Sequence, residues 1–266
     1  MTAADLDAAA AAGAHAVAGL RAASGVRASV DARLRYDGNE LLDREETPPA
    51  LRQRILGDVE RISRLLGIDR LVVRLAAEQI LLARRTRRGK PVRVLDVGTG
   101  TGHLLFRLQD WARKRRIAIT ITGIDFAPEA IELGVRRAAE EGRRADFRVG
   151  DARALALEAD EIDVAISTFT LHHLPPADVA RVLFELDRVA AVGYLAFDLR
   201  RSLPALPALW AMLHAGRFEA PTRHDSLASL RRAYSIAEIT ALAHAVGLHD
   251  ARIASYLPAY YAVGRA

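Results

Sequence analysis

The segment Val92-Arg93-Val94-Leu95-Asp96-Val97-Gly98-Thr99-Gly100-Thr101-Gly102-His103 constrains this chain more than any other. A β-branched apolar run ends near an acid, breaks on three alternating glycines and opens an amphipathic stretch, which reads as strand, tight loop and helix. Glycines let the loop backbone take dihedrals closed to other residues and keep side chains away from a ligand. The helix that follows turns its free N–H groups toward whatever sits there.

Two ligand classes use such a loop. A dinucleotide loop wants Gly-x-Gly-x-x-Gly, and counting from Gly98 the third glycine's slot holds His103, which weakens a nicotinamide reading. The Asp-x-Gly-x-Gly-x-Gly pattern of Asp96 to Gly102 instead resembles motif I of the class I S-adenosylmethionine-dependent methyltransferases.

Composition sets the bounds. The 266 residues, 51% of them hydrophobic, suffice for a sizeable core. No run approaches the roughly 18 apolar residues of a membrane span. Asp5 and Asp7 precede any basic residue, which argues against a secretory signal. Without cysteine there is no disulfide framework, thiolate metal cluster or cysteine nucleophile, and a soluble, cytoplasmic protein is expected. The net charge is +5, the basic residues are almost all arginine, and many sit in doublets: Arg84-Arg85, Arg115-Arg116, Arg136-Arg137 and Arg143-Arg144. They fall near the ends of expected helices, where cations complement the dipole and stay solvated. A small-molecule acceptor is therefore favoured over nucleic acid, with no membrane insertion, in a monomer or homodimer.

The chain divides into residues 1–46, 47–90 and 91–266. The first part reads as a poorly patterned, alanine-rich helix over 1–24, frayed in character, and a polar connector over 25–46. The second is a helical cap: Thr47 is the expected N-cap and Pro48 the first helical residue, Leu51, Ile55, Val59, Ile62 and Leu66 recur at helical spacing, and a second helix covers 69–85. The third is the ligand-binding domain. Helix 103–115 follows the glycine loop, and strand Ile117 to Ile124 stops at Asp125-Phe126-Ala127-Pro128-Glu129. Strand 146–149 ends in Gly150-Asp151-Ala152. Strand 163–168 runs into Phe169-Thr170-Leu171-His172-His173-Leu174. Helix 177–190, strand 192–199, an insertion at about 200–232 with a helix near 204–217, helix 236–246 and strands 249–256 and 258–264 complete the pattern. It predicts an α/β fold: a Rossmann-like seven-stranded sheet, mostly parallel with a C-terminal antiparallel hairpin, helices on both faces and an N-terminal helical cap.

The resemblance implies S-adenosyl-L-methionine as cofactor and S-adenosyl-L-homocysteine as product. It assigns cofactor contacts to Asp96, Gly98, Thr99, Gly100 and Gly102, and to Thr168 ending the fourth strand. Asp125 would accept both ribose hydroxyls and Phe126 pack on adenine, the alternative for Asp125 being a helix N-cap. Asp151 would accept from the adenine amine beside the Ala152 backbone N–H, the alternative being ordinary Gly-Asp turn chemistry. Strands one and four flank the point where sheet order reverses, and ligands lie in that crevice. This puts His172 and His173 near the chemistry, as base or acceptor orienter for an aromatic hydroxyl or as merely packed side chains. No metal is expected, since an adjacent pair lacks the i, i+4 spacing or distant partners of a metal site. Arg200, His224, Arg231 and Tyr234 are candidate acceptor contacts, or equally salt-bridged surface residues. The chain departs from the family in lacking Lys/Arg-Pro-Gly-Gly before the fifth strand, where it reads Arg188-Val189-Ala190-Ala191-Val192-Gly193. From about Glu40 onward it is similar to bacterial methyltransferases of polyketide-type and aromatic secondary metabolism. The rivals are RNA ribose or ring-nitrogen methylation, a nicotinamide-dependent oxidoreductase and a non-catalytic cofactor-binding protein.

Overall fold

In the computed structural model, the residues described are all but 23–34, 37, 45, 88, 203 and 266. A seven-stranded sheet has the order β3-β2-β1-β4-β5-β7-β6. Its strands are β1 Val92–Val97, β2 Ile119–Asp125, β3 Asp146–Val149, β4 Ile162–Thr168, β5 Ala190–Leu199, β6 Arg252–Tyr256 and β7 Tyr260–Arg265. The first five run parallel, and β7 inserts antiparallel between β5 and β6. The expected architecture is therefore the observed one.

The helices are α1 Ala3–Ala22, α2 Pro49–Leu65, α3 Ile68–Thr86, α4 His103–Lys114, α5 Pro128–Glu140, α6 Pro176–Val189, α7 Ala205–Ala215, α8 Ala220–Arg232 and α9 Ile236–Ala245. Alternation along the strands feeds two cores. Val92 and Val94 of β1 join Ile80 of α3 and Leu105 of α4 on one face, while Leu95 and Val97 join Leu183 of α6 and Ile239 of α9 on the other. Each fully buried aliphatic side chain contributes about 1.5–3 kcal/mol. Among the described residues no helix is long and apolar enough to cross a membrane.

Three local expectations need correction. The first helix is not frayed: Ala10 and Val17 are fully buried, and a Cβ on Gly13 would stand 3.0 Å from that of Ala245, so α1 lies close on α9. Thr47 is not the N-cap of α2. A residue before proline is driven from helical geometry, so Pro48 stays extended at ψ 138, Pro49 opens the helix, and the Thr47 hydroxyl donates to the Leu41 carbonyl at 2.6 Å. Strand β2 begins at Ile119, because the Ile117 N–H closes the end of α4 by donating to Ala112. The departure before the fifth strand leaves no turn at all, α6 passing straight into β5. Of the connector 25–46, residues 25–34, 37 and 45 lie outside the described residues.

Candidate active site

The glycine loop sits at the carboxyl end of β1, pinned by the β2 carbonyl of Ile124, which accepts from the Gly98 and Thr99 N–H groups at 2.8 and 3.0 Å. Gly98 has φ 74, and a Cβ there would lie 2.2 Å from Thr170 Oγ1, so the loop backbone touches the segment leaving β4. Gly100 has φ 53 and no atom within 4 Å of where its Cβ would be, which leaves that side of the backbone open to approach. Its N–H donates to Asp125 Oδ2 at 2.8 Å, and Ala127 N–H donates to Asp125 Oδ1 at 3.0 Å. Asp125 thus serves the start of α5 and faces the loop. Phe126 beside it is 82% exposed although its neighbours Ile124 and Asp125 are buried. Asp96 accepts from Thr99 Oγ1 at 2.9 Å, while its other oxygen is buried and has no hydrogen-bond partner among the described residues. Burial foremost, and the nearby Asp125 charge, push Asp96 up to about 7 against the Thr99 hydrogen bond.

These features fit an adenosyl cofactor: an open backbone cradle, a carboxylate at the end of β2, an uncovered aromatic beside it and an orphaned buried oxygen. The cap fastens directly to the cradle. Glu60 of α2 accepts from Thr101 Oγ1 at 3.3 Å and Arg137 at 2.9 Å, and His103 Nε2 lies 2.8 Å from Asp69 of α3. Arg137 also meets Glu141, and Arg143 meets Asp110 and Glu141, so these two arginines are paired rather than merely solvated.

Across the crevice, β4 is followed by Phe169, whose φ of 54 is a strained conformation for a bulky residue, braced edge-on by Phe197 and Tyr260. A short 3₁₀ turn, Leu171–His173, follows. His172 is buried. Its Nδ1 lies 2.6 Å from Asp198 Oδ1 of β5, its backbone N–H donates to Asp198 Oδ2, and its Nε2 faces Glu40 Oε1 at 3.8 Å. His173 Nδ1 lies 3.0 Å from Asp43, and its carbonyl accepts from Arg232, which also donates to Asp43 at 2.7 Å. Burial opposes charge on His173, but the Asp43 hydrogen bond and the charges of Glu40 and Asp43 outweigh it and lift the imidazole to about 9. Asp43 is correspondingly lowered to about 2, the His173 and Arg232 contacts overcoming its burial.

Residues 94–193 match the family model described as "Methyltransferase domain". Residues 94–193 thus carry a methyltransferase domain. It is similar to a demethylmenaquinone methyltransferase of Roseiflexus castenholzii, 36% identical over 44% of this chain and 46% of that one. It is also similar to a ubiquinone/menaquinone biosynthesis C-methyltransferase of a Geobacter species, 32% identical over 56% and 60%. The chain thus spans about half the length of the curated relatives it matches. The plantazolicin methyltransferase BpumL, solved in complex with SAH, shares the fold with TM-score 0.60 at 15% identity, covering 89% of this chain and 95% of that one.

Within the methyltransferase domain, the expected cofactor residues of the loop and Asp125 and Phe126 gather at the carboxyl ends of β1 and β2. Thr168 closes β4 beside them. Asp151 stands apart in its partners, its carboxylate held at 2.8 Å by Arg153, which bridges on to Asp178. The expected acceptor contacts meet other protein segments. Tyr234 is buried and donates its hydroxyl to the Leu174 carbonyl at 2.7 Å. The Arg231 guanidinium stacks over Tyr36, and His224 meets the edge of the same ring and the carboxylate of Asp225. Arg200 is tied by its backbone to Ala259 and bridges to Tyr234. Sequence reasoning missed Glu40, Asp43, Asp198 and Arg232. Glu40 and Asp43 lie in a connector with no periodicity to mark them, and Asp225 fixes that connector by accepting the N–H groups of Leu41 and Leu42. Asp198 alone carried a signal, as an acid near the end of an apolar strand.

Proposed function

We propose that this chain binds S-adenosylmethionine across the glycine loop and methylates the hydroxyl of a small aromatic acceptor of the kind found in bacterial secondary metabolism. The observation that carries the reading is the Asp125 carboxylate turned toward the Gly100 N–H beside exposed Phe126, opposite the His172–Asp198 pair. Bound cofactor supplies an electrophilic methyl on a positive sulfonium. Asp125 is suited to take the ribose hydroxyls, Phe126 to cover the adenine face and Asp151 to accept from its amine.

The protein's remaining task is to hold an acceptor lone pair in line and to take up its proton. Orientation of two bound reactants is worth about 7–11 kcal/mol in favourable cases. A phenol near pKa 10 is a poor nucleophile until deprotonated. Asp198 fixes the proton of His172 on Nδ1, which leaves Nε2 as the proton acceptor; His173, held as a cation by Asp43, orients. With the donor bound, His172 Nε2 would take the phenolic proton while the acceptor oxygen is held in line with the transferable methyl.

The relatives named as menaquinone and ubiquinone C-methyltransferases favour a second reading, transfer to a ring carbon of a hydroxylated ring, for which the same deprotonation is required. Incubation of the protein with methyl-labelled S-adenosylmethionine and a panel of phenols, naphthols and hydroquinones, followed by mass spectrometry before and after ether cleavage with hydriodic acid, separates the two. An oxygen-linked methyl supports the first reading and a carbon-linked methyl the second. Formation of neither, with labelled methyl transferred to RNA instead, overturns both.

A further inference from the structure

We infer that Glu40, His172 and His173 form a binding site for a divalent transition-metal ion such as Zn²⁺. One ligand atom from each residue lies within 4.8 Å of the others. Glu40 is only 2% exposed, and its Oε1 is buried with no hydrogen-bond partner among the described residues. That oxygen points at His172 Nε2, 3.8 Å away, and His173 Nδ1, 4.0 Å away, too far for hydrogen bonds. Ligands about 2.0–2.2 Å from a tetrahedral zinc stand roughly 3.3–3.6 Å from one another. A contraction of about half an ångström would therefore place an ion between Glu40 and His172.

The surroundings favour an ion over an unfilled charge cluster. Asp198 holds the far nitrogen of His172 at 2.6 Å, the arrangement in which a carboxylate fixes the tautomer and raises the basicity of a metal-bound imidazole. Asp43 contacts the same His173 Nδ1 that faces Glu40, at 3.0 Å, so on ion binding it would yield that nitrogen or join the ion as a further oxygen ligand. Among the ion pairs of the described residues, the three carboxylates of Glu40, Asp43 and Asp198 meet the Arg232 guanidinium and the His173 cation, so negative charge is in excess and a divalent ion replacing the His173 proton offsets it. Two imidazole nitrogens and one carboxylate oxygen suit zinc, iron or cobalt rather than magnesium or calcium, which prefer oxygen alone. Glu40 supplies the distant third partner that an adjacent histidine pair lacks. The ion and a proton compete for the same Nε2 lone pair, so in metal-loaded protein activation of an acceptor hydroxyl passes to the ion as a Lewis acid.

The test strips the full chain with EDTA, dialyses it and titrates it with Co²⁺, following visible d–d absorption and heat. The inference expects one Co²⁺ per chain with the intense bands of low coordination number, displaced by Zn²⁺. Glu40→Ala and His173→Asn should each weaken binding at least about 100-fold, and Asp198→Asn by about 10–100-fold, with circular dichroism unchanged. His173 is only half-buried, so its variant keeps the test open if the Glu40 variant fails to fold. No Co²⁺ uptake by the stripped protein, or uptake that His173→Asn leaves unchanged, overturns the site. Calorimetry with S-adenosylhomocysteine on the same sample reports the methyltransferase reading separately, so either can fail alone.

Discussion

Around the glycine loop, the groups facing the crevice are backbone N–H groups and two carboxylates, Asp96 and Asp125, drawn from one strand–helix–strand unit at the ends of adjacent parallel strands. Around the histidine pair they are side chains from segments far apart in the chain: Glu40 and Asp43, the turn after β4, Asp198 of β5, and Asp225 and Arg232 of α8. The first end is built by the strand order itself and holds its shape wherever the sheet forms. The second exists only when residues 38–44 dock onto α8 and the 3₁₀ turn, so it can vary in chemistry without disturbing cofactor binding. The two ends should therefore respond to mutation independently.

The sharpest separation is expected from His172→Asn. Loss of the proton acceptor should lower kcat by about 10²–10⁴-fold, while affinity for S-adenosylhomocysteine stays unchanged by calorimetry; a parallel loss of affinity would break the division. Asp96 gives the next effect. Its folded pKa of about 7 exceeds its unfolded value, so the native state binds the extra proton between the two, and stability falls as pH rises through that window. Denaturant unfolding of the wild type should lose roughly 2–3 kcal/mol between pH 5 and 8 relative to Asp96→Asn; identical pH profiles would show that the charge is not buried as described. Asp125→Ala removes a charged acceptor and should weaken S-adenosylhomocysteine by about 1.5–3 kcal/mol, leaving Co²⁺ binding at the far end untouched. The smallest effect belongs to Glu60→Gln, which loosens the cap from Thr101 and Arg137. A partly exposed pair of this kind is worth up to about 1 kcal/mol, read as a modestly raised KM for cofactor and a small drop in Tm.

The same contrast explains what was legible in the sequence. The order of strands, the loop and the roles open to Asp96 and Asp125 follow from local signals: β-branched runs, glycine spacing and an acid ending a strand. The histidines were visible because they follow a strand. Their partners were not, since Glu40 and Asp43 carry no periodicity and meet His172 and His173 only through tertiary docking. For Tyr234 and Arg231, candidate acceptor contacts by sequence, a polar aromatic and a cation are legible but not the Leu174 carbonyl and the Tyr36 ring that engage them. Thr47 failed as a cap because the paired prolines after it dictate the helix start.

The account rests on an adenosyl donor held by the glycine loop and Asp125. Isothermal titration of the purified full chain with S-adenosylhomocysteine and, separately, with NAD tests it most directly. One S-adenosylhomocysteine per chain, weakened in Asp125→Ala, with no heat from NAD is the predicted result; saturable binding of NAD and none of S-adenosylhomocysteine would contradict it.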